Sequence, residues 1–287
     1  MKTNYMKTNF KKISTLLAVV FAMSTYETNA QTEKGVYVSI NTGYNKGTAS
    51  ANLLHAMYLG SVNTTETSPT TSQSKVVSLT IGDGINFGAN FGYMFNKNLG
   101  LELGANYLLG STTNGSWTSY TGNNSTSETS AKMLQIKPTI VFRAGYDKIN
   151  PYAKIGMVIG TGKITNNQNR TTGVDVYNET LELSGGTPIG FNGNLGVLYK
   201  LNNKISLFGE LNLTSLEYAP KKGSTTVSTK NGIDQLPLMT VREKEGVFVD
   251  SVTETGLPDN PNEPNKVIKI PFSLDSFGLN IGLQYQF

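Results

Sequence analysis

The stretch Phe277-Gly-Leu-Asn-Ile-Gly-Leu-Gln-Tyr-Gln-Phe287 alternates without a break. Phe277, Leu279, Ile281, Leu283, Tyr285 and Phe287 share one face of a strand, while glycine, asparagine and glutamine take the other. A strand of a water-soluble sheet hides its apolar face in a core and seldom ends a chain on a bare aromatic. Here the small, polar face needs an interior and the apolar face needs a greasy exterior. That is the demand of a strand crossing a bilayer. Hydrocarbon offers no partner for backbone N–H and C=O groups, so such a strand needs neighbours on both sides, and a ring supplies them.

Seven earlier segments repeat the pattern. They place outward Val36 to Tyr44, Ile85 to Phe95, Leu99 to Tyr107, Leu134 to Ala144, Ala153 to Ile159, Ile189 to Tyr199 and Ile205 to Leu213, each with smaller or polar residues between. Three short turns, at Asn96–Asn98, Asp147–Asn150 and Asn202–Lys204, join the second to third, fourth to fifth and sixth to seventh segments. Four long polar stretches, about 46–83, 110–131, 161–186 and 219–271, join the rest. Phe95, Phe142, Tyr199 and Phe287 would stand at one membrane interface, and Tyr44 and Tyr107 at the other. The expected fold is all-β: an eight-stranded antiparallel transmembrane β-barrel with short periplasmic turns and four long extracellular loops. Ten strands are the alternative, if the first or fourth loop hides a hairpin. Pro138 lacks an N–H for the ladder and predicts a bulge or a missing bond in the fourth strand.

The N-terminus carries Lys11-Lys12, an apolar run from Ile13 to Met23, and Thr28-Asn29-Ala30. This order predicts a secretory signal over 1–30 and a mature barrel over 31–287. The apolar run falls short of the roughly 18 residues a spanning helix needs. Met6-Lys-Thr-Asn-Phe repeats Met1-Lys-Thr-Asn-Tyr, so either methionine could be the start. Without the signal's four lysines and one glutamate, a chain of 24 basic and 20 acidic residues keeps a formal charge of +1. That balance gives no reason to expect nucleic acid. The absence of cysteine excludes thiol catalysis and Cys-based zinc or iron–sulfur sites, and no cofactor or metal is expected.

Glu102, Lys137, Arg143, Lys154, Lys200 and Glu210 all fall on predicted inward faces. An eight-stranded barrel is just wide enough to be filled by side chains, so charges within it must pair. Glu102 and Arg143 lie on neighbouring strands and are an expected pair. The network reads either as a gate or as a static plug. The static plug is the expected reading of the two, while inward Gly88, Gly92, Gly104, Gly156, Gly196 and Gly282 would leave room for water and keep a path as the alternative. The single imidazole, His55, lies in the first loop with no motif defining a triad. Trp117 and Tyr120 in the second loop are candidate contacts for a sugar or protein, or else loop-packing residues. The fourth loop has balanced charges, and its Gly246–Val252 segment could add a strand above the membrane.

Eight strands, three short turns, four long loops and a terminal Phe resemble the OmpA-like superfamily of small outer-membrane barrels, with its OmpX- and OmpW-type members. Asn150-Pro-Tyr-Ala-Lys-Ile-Gly156 and Phe208-Gly-Glu-Leu-Asn212 are similar to barrel proteins of Bacteroidetes-type bacteria. The terminal residues resemble the barrel insertion signal. The resemblance implies a monomer in the bacterial outer membrane, with outer-membrane lipid and the barrel-assembly machinery as partners. No cell-wall-binding domain is expected after the last strand. The first functional expectation is a non-enzymatic barrel, structural or binding an extracellular ligand or protein through its loops. The second is a narrow porin-like channel gated by the lumen ion pairs, and the third a lipid-modifying enzyme.

Overall fold

The structure is a computed structural model that describes residues 34–48, 62–76, 80–253 and 258–287. The predicted signal and His55 lie outside the described residues. Eight strands pair in a ring: β1 (Gly35–Gly47), β2 (Gly84–Met94), β3 (Leu99–Gly110), β4 (Asn124–Arg143), β5 (Ile149–Thr172), β6 (Ile189–Lys200), β7 (Ile205–Ser215) and β8 (Ser276–Gln286). Each pairs antiparallel with its sequence neighbours, and β8 pairs with β1. Among the described residues no further hairpin joins the ring to raise it to ten: the additional strands pair above the ring, not within it.

The register sets the tilt. From Tyr37, directly paired residues run through Gly92, Glu102, Thr139, Gly156, Asn192, Thr214 and Ser276 and return to β1 at Gly47, ten residues further along. With strands about 4.8 Å apart and about 3.3 Å per residue, that stagger tilts the strands by about 40° to the axis. Each residue then advances about 2.5 Å along the axis, so the 11 residues of β8 span about 28 Å, close to the apolar band of such barrels. The outward side chains are apolar and exposed around the ring, Phe191 at 69% and Phe287 at 71% among them.

Two strands are far longer than the sequence pattern predicts. β4 has 20 residues and β5 has 24, so residues 124–131 and 161–172, expected in loops, are strand. Above the ring the sheet goes on through strands that continue their neighbours. Thr113–Thr118 continues β3 and pairs with β4, Asp175–Ser184 leads down into β6 and pairs with β5, and Lys222–Lys230 continues β7. Glu245–Val249 and Asn265–Ile268 extend this wall on one side, and Val62–Ser68 and Thr71–Val76 on the other. The predicted strand at Gly246–Val252 is thus present over Glu245–Val249. Alternation ends at the membrane boundary because the outer face of the wall meets water and carries Ser, Thr and Asn instead of Leu and Phe. A reading keyed to apolar residues stops there.

Local chemistry explains the wall's turns. Asn231 and Gly232 both have positive φ, 52° and 79°, and close a two-residue turn between Lys230 and Ile233. Gly185 and Gly186, at φ 78° and 84°, make the offset by which Asp175–Ser184 feeds into β6. Pro138 produces the gap expected of it. Pairing between β4 and β5 skips Lys137 and Pro138 and resumes at Thr139↔Gly156 in unchanged register, without a bulge.

Candidate functional site

The inward faces of the ring change character from the short-turn end to the long-connection end. On β7 they read Ser206, Phe208, Glu210, Asn212, Thr214, then Leu216 beyond the strand; on β3, Glu102, Gly104, Asn106, Leu108; on β4, Arg143, Val141, Thr139, Lys137, Gln135, Met133. The lumen is therefore layered.

The lowest layer is ionic and aromatic. Lys154 sits between two carboxylates, 2.8 Å from Glu102 and 3.4 Å from Glu210, with its side chain only 8% exposed. Tyr37 donates to Glu102 at 2.7 Å, and Tyr152 donates to Glu210 at 2.9 Å. Asn280 Nδ2 also donates to Glu210, at 3.1 Å. The Lys154 ammonium lies 5.2 Å from the Tyr152 ring and 5.7 Å from the Phe208 ring. Every buried charge in this trio has an opposite charge and a neutral hydrogen-bond donor or ring beside it, as confinement in low dielectric requires.

The expected pair of Glu102 with Arg143 does not form. Arg143 donates to Gln284 at 3.0 Å and stacks 4.8 Å over Tyr37. It lies one layer nearer the short turns, since its cross-strand partner is Tyr152 and that of Glu102 is Thr139. Lys137 also faces the lumen, opposite Gly104, but joins no ion pair among the described residues. Lys200 lies on the inward face of β6 opposite Ser206. A small cavity between these groups is lined by Ser39, Arg143, Tyr152, Lys154 and Gln284.

Four of the six inward glycines are covered by side chains of the neighbouring strands. Gly92 lies under the ring of Tyr37, Gly196 under Tyr152, Gly282 under Phe208 and Gly88 under Asn106 and Asn41, so closely that a Cβ at any of them would collide. Each covering residue is the direct cross-strand partner of its glycine. The missing side chain on one strand makes the space that the large one on the next occupies. Gly156 likewise sits against the backbone of β4.

The middle layer is rich in amides. Asn41, Asn86, Asn192, Asn194, Asn212 and Asn280 are all buried. Asn45 accepts from Asn86 at 3.0 Å and from Asn212 at 3.2 Å. Five buried amide oxygens here, together with Thr214 Oγ1, have no hydrogen-bond partner among the described residues. Buried acceptors of this kind are ordinarily served by internal water.

The top layer is apolar. Leu108, Met133, Val158, Leu216, Phe272 and Leu274 pack in one cluster with Ile164, Leu183, Tyr218 and Phe248 from the wall and its connections. Tyr218 donates to the Gly162 carbonyl at 2.8 Å, and burial pushes its hydroxyl up to about 12. Sequence alternation did not find this plug, because half of it comes from the long connections. Leu108 and Met133, apolar residues on faces that should be polar, were the available signal.

Outside the ring, Trp117 Nε1 donates to Glu66 at 3.1 Å and Ser119 donates to the other oxygen of the same carboxylate at 2.9 Å. Trp117 is thus half-buried and ties the second connection to the first, while Tyr120 remains 51% exposed. At the far tip of the wall Lys230 and Asp175 pair at 2.8 Å, with Asn231 donating to Asp175 as well. Hydrogen bonds from Lys230 and Asn231 hold the Asp175 carboxyl below the usual range, and the Asp175 bond raises Lys230. No group of three or more His, Cys, Asp or Glu among the described residues could hold a metal ion.

Residues 14–233 match the family model described as the outer membrane protein beta-barrel domain. Among solved structures, the chain is similar to Neisserial surface protein A at 12% identity, covering 90% of this chain and all of that one, with a TM-score of 0.37. OprG of Pseudomonas aeruginosa matches at 14% identity over 88% of this chain and 96% of its own, TM-score 0.39. Ail of Yersinia pestis, solved with the heparin analogue sucrose octasulfate, matches at 9% identity over 90% and 100%, TM-score 0.31. No curated protein matches.

Proposed function

The chain belongs to the outer-membrane-protein β-barrel domain family, and we propose that in the bacterial outer membrane it is a non-conducting, non-enzymatic barrel that presents its tall β-wall as a binding surface. In this reading the short turns face the periplasm and the wall stands outside the cell. The observation that carries it is the apolar plug. Leu108, Met133, Leu216, Phe272 and Leu274 fill the lumen where the wall begins. An ion crossing there would shed its water with nothing to replace it, at a cost far above that of a polar pore. A molecule whose work was conduction would not need β4 and β5 to run on over residues 124–131 and 161–172, clear of the membrane. Such length is expected where recognition occurs.

The test is a planar-bilayer recording of the refolded chain. Wild type should give no discrete current steps, and Phe272→Ser combined with Leu274→Ser should still give none while Lys154 spans the lower layer. Discrete wild-type steps would sink the proposal. A second reading, a gated channel, draws on Lys154 lying between Glu102 and Glu210: one bond could be exchanged for the other. It requires that Lys154→Ala alone produce current, whereas the plugged barrel predicts none until the plug is opened too.

A further inference from the structure

The outer face of the wall carries a rank of lysines that folding does not account for. Lys132 on β4 is directly opposite Lys163 on β5, Lys163 is opposite Ser184, Ser184 opposite Lys222, Lys222 opposite Val247 and Val247 opposite Lys266. All six point away from the core, since the neighbours Met133, Ile164, Leu183 and Phe248 are buried within it. Directly opposed like charges weaken a sheet, so the Lys132–Lys163 juxtaposition costs stability where a Thr or Glu would add it. Lys163 is partly compensated by Glu182 at 2.7 Å. Glu245, one rank further out, faces Ser224. Lys132, Lys222 and Lys266 are exposed and form no ion pair among the described residues.

The place of the rank tells what it meets. Lys132 is opposite Leu109, and two residues below it on the same face stands Leu134, opposite Tyr107. Leu109, Leu134 and Tyr107 are exposed members of the apolar band. The rank therefore starts at the edge of the lipid. The ring walk from β1 through β4 and β5 climbs away from the short turns, and the same tilt across the wall lifts each strand by about 3 Å. Lys266 then stands about 15 Å further out than Lys132. A flat phospholipid headgroup layer would meet the first two lysines only.

We propose that this rank is a binding site for the phosphorylated headgroup of an outer-leaflet glycolipid, an elongated anion rooted in the membrane beside β4 and β5. Lys132 and Lys163 take the phosphate nearest the acyl chains, with their methylene stems laid along the apolar edge. Lys222 and Lys266 take anionic groups further out along the saccharide. The inference rests on the outward orientation of the wall but not on the closed state of the lumen.

The full chain would be reconstituted in phosphatidylcholine nanodiscs containing lipid A, dephosphorylated lipid A or phosphatidylglycerol, and lipid retained on the protein measured by native mass spectrometry. Wild type should retain lipid A about tenfold or more over its dephosphorylated form, and the quadruple Lys→Gln variant at 132, 163, 222 and 266 should lose that preference. Lys46→Gln, which removes a rim lysine already bonded to Asp83, should keep it. Heat-modifiable migration checks that every variant is folded. Equal retention of the two lipid A forms by wild type, or undiminished preference in the quadruple variant, overturns the proposal. So does phosphatidylglycerol retained as well as lipid A, or a soluble sulfated polysaccharide that binds the protein in neutral nanodiscs as tightly as lipid A does. A failed orientation would appear separately, as a Val174→Cys variant left unlabelled by a membrane-impermeant maleimide on intact cells.

Discussion

Lys154 is the residue on which the lower lumen turns. Its ammonium neutralises two buried carboxylates, and without it Glu102 and Glu210 would face each other uncompensated. Lys154→Ala should lower the unfolding free energy by about 3–5 kcal/mol, read by urea titration of the barrel in detergent, and Lys154→Ala with Glu102→Gln and Glu210→Gln should recover much of it. The complementary pairs make a second prediction. Gly92→Ala pushes a methyl into the Tyr37 ring and should cost about 1–3 kcal/mol, and adding Tyr37→Leu should restore part of the loss. An equal cost in both backgrounds would show that the ring is not what the glycine accommodates. At this scale the sequence told which residues face inward, and the structure keeps Glu102, Lys137, Arg143, Lys154, Lys200 and Glu210 on that face. Partner choice was not legible. Alternation gives the side of a strand, but the height at which two side chains meet depends on the stagger around the ring, and it moves Arg143 a layer away from Glu102.

Among the elements, the wall's far hairpin depends on a charge pair whose window can be stated. Asp175 titrates below its ordinary 3.8 because Lys230 and Asn231 bond its charged form, so its support is present above 3.8 and fades as pH falls through the depressed value. Lys230 titrates above its ordinary 10.5, so its support is present below 10.5 and fades as pH rises through the raised value. Protection factors of the Val176 and Asn231 amides, which are bonded across this turn, should therefore stay high between these limits and fall as the pH is taken progressively below 3.8. Protection unchanged once Asp175 is fully protonated would mean that the Asn231-Gly232 turn holds the tip by itself. The element lengths were legible only up to the lipid edge. Apolar alternation found all eight ring strands, yet 124–131 and 161–172 have polar residues on both faces, and their strand character comes from pairing with each other.

For the whole molecule, a chain without cysteine lends itself to a test of orientation. A cysteine at Val174, which is 95% exposed at the wall's tip, should react with a membrane-impermeant maleimide on intact cells. A cysteine at Asn203, in a short turn, should react only after the outer membrane is breached. The reverse pattern would turn the barrel over and remove both the binding-surface proposal and the glycolipid site. Fold class and location followed from pattern at this scale, because a bilayer permits so few solutions for an alternating chain. The plug was hidden, since Phe248, Phe272 and Leu274 lie in a connection with no period to reveal them.

The wall continues β3 to β7 and not β8, β1 or β2 among the described residues. A plain cylinder in a fluid membrane looks alike from every side, and spinning about its own axis changes nothing that a neighbour can sense. This molecule has a bearing. A partner diffusing in the same leaflet meets the unbroken rise of β4 and β5 from one bearing and strands of other make from another, so rotational as well as lateral motion sets how often a productive encounter occurs. A bulky lipid held at one side would act as a keel, slowing the spin and fixing which way the sheet is turned.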